Sequence, residues 1–274
     1  MEIKRNYTVT ENGERAIDVL AQTPELSKAK IKDAMNKGAV QIVRKGKAQR
    51  LRRATAELWA GDVLQLHYDD DLLNRVAPPP RLIADCRRYS VWYKPAGLLA
   101  QGNEWGDHCA IARLVELHFN SQRKVFVVHR LDREARGLML LAHDADAAAK
   151  LSQLFQQKQI EKVYHVIVRG QLPEQGMIDT ALDGKAALTR YNRIAIDPEH
   201  NTSTARVQID SGRKHQIRRH FDGIHHPVMG DPLYGQGNRD DNGLQLIAIR
   251  LTFRCPLSRQ TQQFEINLNG ELIV

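Results

Sequence analysis

The chain has 274 residues, long enough for one large domain plus a small one. Hydrophobic residues at 42% and charged residues at 26% are the proportions of a soluble globular protein. Forty Lys and Arg against 32 Asp and Glu leave a net charge of +8, which suits a polyanionic partner such as nucleic acid and equally suits a merely basic enzyme. The three cysteines, Cys86, Cys109 and Cys255, lie far apart without metal-ligand spacing, as expected of reduced thiols in a reducing compartment. Residues 1–10 carry Glu2, Lys4 and Arg5 and lack the apolar core of a signal peptide. The longest strongly apolar stretch, 137–142, is far too short to span a bilayer, so no membrane association and a cytoplasmic location are expected.

In chain order, the first strong feature is a basic run. Between 28 and 53 stand Lys28, Lys30, Lys32, Lys37, Arg44, Lys45, Lys47, Arg50, Arg52 and Arg53, with Asp33 as the only acid. Ser27 is placed to cap a helix over 28–37 that Gly38 ends, with Ala29, Ile31, Ala34 and Met35 available for its inward face. A strand over 39–43, a Lys45-Gly46-Lys47 turn and a strand over 62–68 complete a small basic α/β module at 1–70. Asp69-Asp70-Asp71 and then Pro78-Pro79-Pro80 follow. A proline run favours stiff extended chain, which predicts a linker at 71–81.

A larger domain is expected at 82–274. Strands are predicted over 90–94, 137–143, 161–169, 188–196, 204–209, 244–254 and 262–268, and helices over 110–119, 144–158 and 215–224. Strands and helices do not alternate regularly. The predicted class is therefore α+β, with a mixed, largely antiparallel central sheet and flanking helices.

The segment that carries chemistry is Val127-Val128-His129-Arg130-Leu131-Asp132-Arg133-Glu134-Ala135-Arg136-Gly137. A charged loop joins two apolar strands, and Asp132 stands among Arg130, Arg133 and Arg136, whose charges favour its ionised form. From the residues alone, a solvated loop with local ion pairs is the reading slightly preferred.

The run His129-Arg130-Leu131-Asp132-Arg133 with Gly137 resembles the signature of the RluA family of RNA pseudouridine synthases. Four further segments resemble that family's motifs in the expected order. They are Lys94-Pro95-Ala96-Gly97, then Glu161-Lys162-Val163-Tyr164 with Gly170, then the run from Ser211-Gly212-Arg213-Lys214-His215 to Gln216-Ile217-Arg218, and last His226-Pro227-Val228-Met229-Gly230-Asp231 with Tyr234-Gly235. Together they cover about residues 85–268. The basic N-terminal module resembles an S4-type RNA-binding domain.

The resemblance implies isomerisation of uridines in ribosomal or transfer RNA. The bond from ribose C1′ to uracil N1 breaks and the base rejoins through C5, with no change of oxidation state and so no redox cofactor. It further implies Asp132 as the catalytic carboxylate, Arg218 as a bidentate guanidinium partner, and Tyr164 as a phenol that stacks on uracil or moves a proton. The target nucleotide must leave its stack, with Arg130 placed to fill the gap. Lys162, Arg213 and Lys214 are candidate phosphate contacts, as are Lys28, Lys30, Lys32 and Arg44 of the first module.

Two departures from the family pattern stand out. Ala135-Arg136 replaces the usual Thr-Ser, which predicts an added cation near the site, and Ile247 replaces a usual histidine. No metal is expected: His215 and His220 lack i, i+4 spacing and no cysteine pair assists. No Walker or Gly-x-Gly-x-x-Gly motif is present, so no nucleotide cofactor is expected either. The rival reading is a non-catalytic RNA-binding or ribosome-associated protein on the same fold. Oligomeric state is not legible in the sequence.

Overall fold

The computed structural model describes residues 1–273. The chain divides into two units, residues 1–77 with 101–117, and residues 78–100 with 118 onward. The first unit holds β1 (Glu2–Thr8), α1 (Ala16–Leu20), α2 (Lys28–Asn36), β2 (Val40–Arg44), β3 (Lys47–Arg50), β4 (Val63–Asp69) and α3 (Asp70–Leu73). Ser27 caps α2 as its position suggests, its Oγ accepting the Lys30 N–H at 3.3 Å. The strands form an antiparallel sheet in the order β1-β4-β2-β3. Leu64 and Leu66 of β4 and Val40 of β2 bury against Leu20, Ile31 and Met35 of the two helices.

The boundaries drawn from sequence at 70/71 and 81/82 differ from this division. Asp69 caps α3 by accepting the Leu72 N–H at 3.0 Å, so a helical turn stands where extended linker was expected. Residues 101–117 also group with the first unit and carry most of α4 (Ile111–His118). Their anchor is Asp107, whose N–H donates to the Lys37 carbonyl at 3.0 Å and whose carboxylate accepts from Arg52 at 2.5 Å. Such a pairing joins residues distant in sequence, and no local pattern announces it.

The second unit runs β5 (Arg81–Asp85), β6 (Tyr89–Lys94), β7 (Phe126–Val127), β8 (Arg136–Ala142), α5 (Ala145–Gln156), β9 (Glu161–Arg169), β10 (Gln175–Ile178), β11 (Thr189–Asp197), β12 (Thr202–Ile209), α6 (Gln216–Gly223), β13 (Leu246–Arg254) and β14 (Thr261–Glu265). Its sheet has the order β10-β11-β12-β9-β13-β8-β6-β5, with β14 beside β13 and β7 beside β8. Every pairing is antiparallel except β13 with β8. The α+β class with a mixed, largely antiparallel sheet is therefore what the chain forms. Side chains alternate across the strands, so each face has its own core. Leu138, Leu140, Ile249 and Leu251 pack with Ala147 and Leu151 of α5. Tyr164, Val166, Ala205 and Val207 pack with Ile217 and Phe221 of α6.

The parallel β8–β13 contact explains one glycine. Gly137 has φ +119°, and a Cβ there would lie 2.3 Å from the Ala248 carbonyl oxygen and 2.5 Å from its nitrogen. Both objections are to backbone, which cannot rotate away. Gly137→Ala is expected to destabilise by at least about 3 kcal/mol, combining strain with the clash. Gly212, where a Cβ meets nothing within 4 Å and φ is not positive, serves as the control. Equal melting temperatures for Gly137→Ala and Gly212→Ala would refute this.

Candidate active site

The loop between β7 and β8 is fixed from beneath. The Lys94 side chain is wholly buried, and its Nζ donates among the carbonyls of Ala135 (2.7 Å), Leu98 (2.9 Å), Pro95 (3.1 Å) and Arg133 (3.2 Å). Burial pushes Lys94 down to about 7, against the pull of the Asp132 and Glu134 charges. Four acceptors around one nitrogen suit the ammonium with its three donors. The Gly97 N–H adds a bond to the Arg133 carbonyl at 2.8 Å. On the other side, His129 accepts the Leu140 N–H at Nε2 (2.9 Å), and its ring stacks on Phe155 of α5 at 4.2 Å. Asp132 thus sits on a loop whose backbone is tied to both flanking layers.

Above this platform, α6 delivers Arg218. Its side chain is 0% exposed, and it meets three carboxylates. Nε and Nη2 donate to the two oxygens of Asp231 at 2.6 and 2.7 Å, and Nη1 donates to Asp132 Oδ2 at 3.2 Å and lies 3.7 Å from Glu134. Burial opposes the guanidinium charge, but Asp231 and then Asp132 outweigh it and hold Arg218 above its ordinary value. The bidentate partner is therefore Asp231, whereas the sequence predicted Asp132. The reason is local: Asp231 Oδ1 also accepts the N–H groups of Leu233 and Tyr234, at 2.9 and 3.1 Å, so it is already locked in a turn facing α6.

Tyr164 reaches the same place from β9. It is buried, and desolvation followed by the Asp132 charge raises its phenol. His215 caps α6 in the left-handed conformation (φ 53°, ψ 32°), and its Nδ1 bonds to the Tyr234 hydroxyl at 2.9 Å. Its Nε2 lies 3.9 Å from Asp132 Oδ1. Burial lowers His215, with Asp132 opposing. A partly exposed carboxylate and a buried cation thus pair directly, and a buried phenol feels the carboxylate's charge; these are the three groups that the sequence singled out as Asp132, Arg218 and Tyr164.

The remaining candidates are placed differently. Arg130 is exposed and has no hydrogen bond or ion pair among the described residues, which leaves its guanidinium available. Arg213 is half-buried and its Nε reaches the Ala186 carbonyl at 3.4 Å. Lys162 is only 6% exposed on central strand β9, and burial lowers it, so it is not a free surface charge. Lys28, Lys30, Lys32 and Arg44 belong to the first unit. Lys28 pairs with Asp18 at 2.9 Å, Lys30 lies 3.8 Å from Asp70, and Arg44 holds Asp62 with two bonds of 2.8 and 2.5 Å. Lys32 is exposed and makes no such pair among the described residues.

A family model described as RNA pseudouridylate synthase matches residues 88–222, which hold Asp132, Tyr164 and Arg218. An RNA pseudouridine synthase of Chloroflexus aurantiacus is 30% identical over 258 residues, covering 82% of this chain and 77% of that protein. The tRNA pseudouridine synthase C of Pectobacterium carotovorum is 31% identical over 194 residues, covering 58% and 51%. The solved structure of human RNA pseudouridylate synthase domain containing 4 superposes with a TM-score of 0.56 at 24% identity, over 69% of this chain and 88% of that one, which speaks for the fold. The chain belongs to the RNA pseudouridine synthase family. The resemblance read from its motifs is borne out, and with it the synthase's class of reaction, isomerisation of uridine in RNA.

The two departures prove to be neighbours in the synthase. Arg136 of β8 pairs in register with Ile247 of β13, and Ile247 with His165 of β9. Tyr164 and Ala248 form the next row, on the other face. The Arg136 Nη2 donates to Gln245 at 3.3 Å, two residues before Ile247. The cation expected beside the site thus turns to the opposite face of the sheet. Asp231, Lys94 and His215 were missed as individual residues. The only signal for Asp231 was its place as the sole acid in the last motif.

His129 makes one property measurable. Burial pushes it down to about 3 from an ordinary 6.5. The unfolded chain therefore binds this proton between those values while the folded synthase does not, so stability falls as pH drops from 6.5 toward 3, by up to about 4 kcal/mol. In His129→Gln, which keeps an acceptor for the Leu140 N–H, the slope of unfolding free energy against pH should be shallower in that window. An unchanged slope would show that His129 is not held neutral.

Proposed function

We propose that the synthase acts on specific uridines of structured ribosomal or transfer RNA in the cytoplasm, with Asp132 as the reacting carboxylate on a nucleotide turned out of its stack. The observation that carries this reading is the pairing of Asp132 Oδ2 with a fully buried guanidinium while the carboxylate itself remains 25% exposed. Among base-modifying enzymes, an extruded base is the general solution to reaching atoms inside a stack. Transfer RNA is favoured by relatives named for it, among them the tRNA pseudouridine synthases C of Pectobacterium carotovorum and Vibrio parahaemolyticus.

The reaction balances without an added reagent. The C1′–N1 bond breaks, a C1′–C5 bond forms, the C5 proton is lost and N1 gains one. Asp132 serves as an unprotonated oxygen, whether toward C1′ or toward a ribose proton. Arg218 stabilises that form by a charge-assisted bond, and Tyr164 offers a flat face and a hydroxyl beside it. The exposed Arg130 and the half-buried Arg213 are the cations offered to phosphates of a distorted backbone. The first unit acts as an S4-like RNA-binding module through the charges it leaves free, Lys32 with Lys45 of the β2–β3 turn and Lys47 at the start of β3.

Carbodiimide labelling of in vitro transcribed transfer and ribosomal RNA tests the reading. Wild type should produce pseudouridine, and Asp132→Asn none, while RNA affinity stays within about twofold because one carboxylate adds little to a phosphate-dominated interface. Product from Asp132→Asn would overturn it. For the module, Lys32, Lys45 and Lys47 changed together to Ala should weaken RNA binding and lower the slope of log affinity against log salt by about 2 to 3. An unaltered slope would remove the module from the interface.

A further inference from the structure

Arg218 divides its donors unevenly. Two of its nitrogens face Asp231 at 2.6 and 2.7 Å, and a single one reaches Asp132, at 3.2 Å. The Asp231 side chain is 0% exposed and is held from behind by the Leu233 and Tyr234 amides. It cannot follow the guanidinium if that group moves. A buried arginine takes a bidentate carboxylate where one is offered. Without Asp231, the fork would turn to Asp132, already within 3.2 Å, or to Glu134 at 3.7 Å. As built, Asp132 Oδ1 accepts no hydrogen bond among the described residues, and His215 Nε2 stays 3.9 Å from it.

We propose that Asp231 is a positioning residue that occupies the two-pronged side of Arg218, so that Asp132 is held through Oδ2 alone and keeps Oδ1 free for the substrate. The inference rests on Asp132 being the reacting carboxylate. The charged and titratable groups facing Asp132 are Arg218 from α6, His215 at its cap, Glu134 of the same loop, Lys94 of β6 and Tyr164 of β9. Asp231→Asn leaves all of them in place, removes one negative charge and frees the fork.

The test follows tritium release from transfer and ribosomal RNA transcripts carrying [5-³H]uridine, because C5 loses its hydrogen when it bonds to C1′. At saturating RNA, Asp231→Asn should lower kcat by at least about tenfold, with KM within about twofold. The acid limb of its rate profile should move, because the variant removes a buried negative charge beside the Arg218 guanidinium and so changes the electrostatics around it. Asp231→Glu, which keeps the charge, should leave the limb where wild type has it and restore part of kcat. Wild-type kcat in Asp231→Asn, or a lower kcat with an unmoved limb, overturns the inference. If thermal unfolding shows that Asp231→Asn does not fold, Asp231→Glu decides: it must lose at least about threefold in kcat with KM unchanged, and wild-type kcat or failure to fold rejects the positioning role. Asp132→Asn is run alongside. Activity there would reject the reading of Asp132, whereas an inactive Asp132→Asn beside a fully active Asp231→Asn would reject only the role given to Asp231.

Discussion

The guanidinium of Arg218 is a charge taken wholly out of water, and the catalytic unit is arranged around that cost. Desolvating such a group is expensive unless its partners are close and well directed. Three carboxylates answer it from two separate segments, Asp132 and Glu134 from the loop before β8, and Asp231 from the turn that begins with Pro227 and Val228. The helix that presents Arg218 is in turn anchored by Ile217 and Phe221 in the core shared with β9 and β12. A displacement of any of these pieces would leave a buried charge short of a partner. The geometry of Asp132 is thus coupled to the packing of the sheet.

The same economy governs the backbone under the site. A loop rich in charge, from His129 to Arg136, would ordinarily be mobile. Here its carbonyls are gathered by a buried lysine, its first residue is pinned as a neutral imidazole, and its exit into β8 runs so close to β13 that only glycine fits. Burial sets the protonation of these supports: it lowers Lys94 and His129 and raises Tyr164. Arg130 of the same loop is exposed and keeps its charge free of any ion pair among the described residues. The basic run of the first unit is mostly consumed by its own acids, through Lys28 with Asp18, Lys37 with Asp33, Arg44 with Asp62 and Arg52 with Asp107. Fewer of its cations stand free than the sequence count suggests.

What the sequence disclosed and what it withheld follow from range. Period and capping are local, so Ser27 announced α2, and the β-branched run at 161–169 announced β9. The motif residues Asp132, Tyr164 and Arg218 were legible because each stands in a recognisable short pattern, and the fold brings them together. Long-range partnership was not legible. Nothing near Asp107 says that it belongs with Arg52, and nothing near Arg218 says that Asp231 is its principal partner. Lys162 read as a contact because it stands beside a motif, whereas on β9, in register with Leu251 of β13, it is largely buried, which no local pattern announces.

The most direct test of the central claim is Arg218→Lys, which keeps the cation and removes the planar fork. Lysine offers a point charge that cannot bond Asp231 on two nitrogens and Asp132 on a third. With the fold confirmed by circular dichroism, single-turnover formation of pseudouridine on saturating RNA should slow by about thirtyfold or more, the equivalent of roughly 2 kcal/mol of lost transition-state stabilisation. A rate within about twofold of wild type would mean that positive charge alone suffices and that the shared guanidinium is not what holds Asp132.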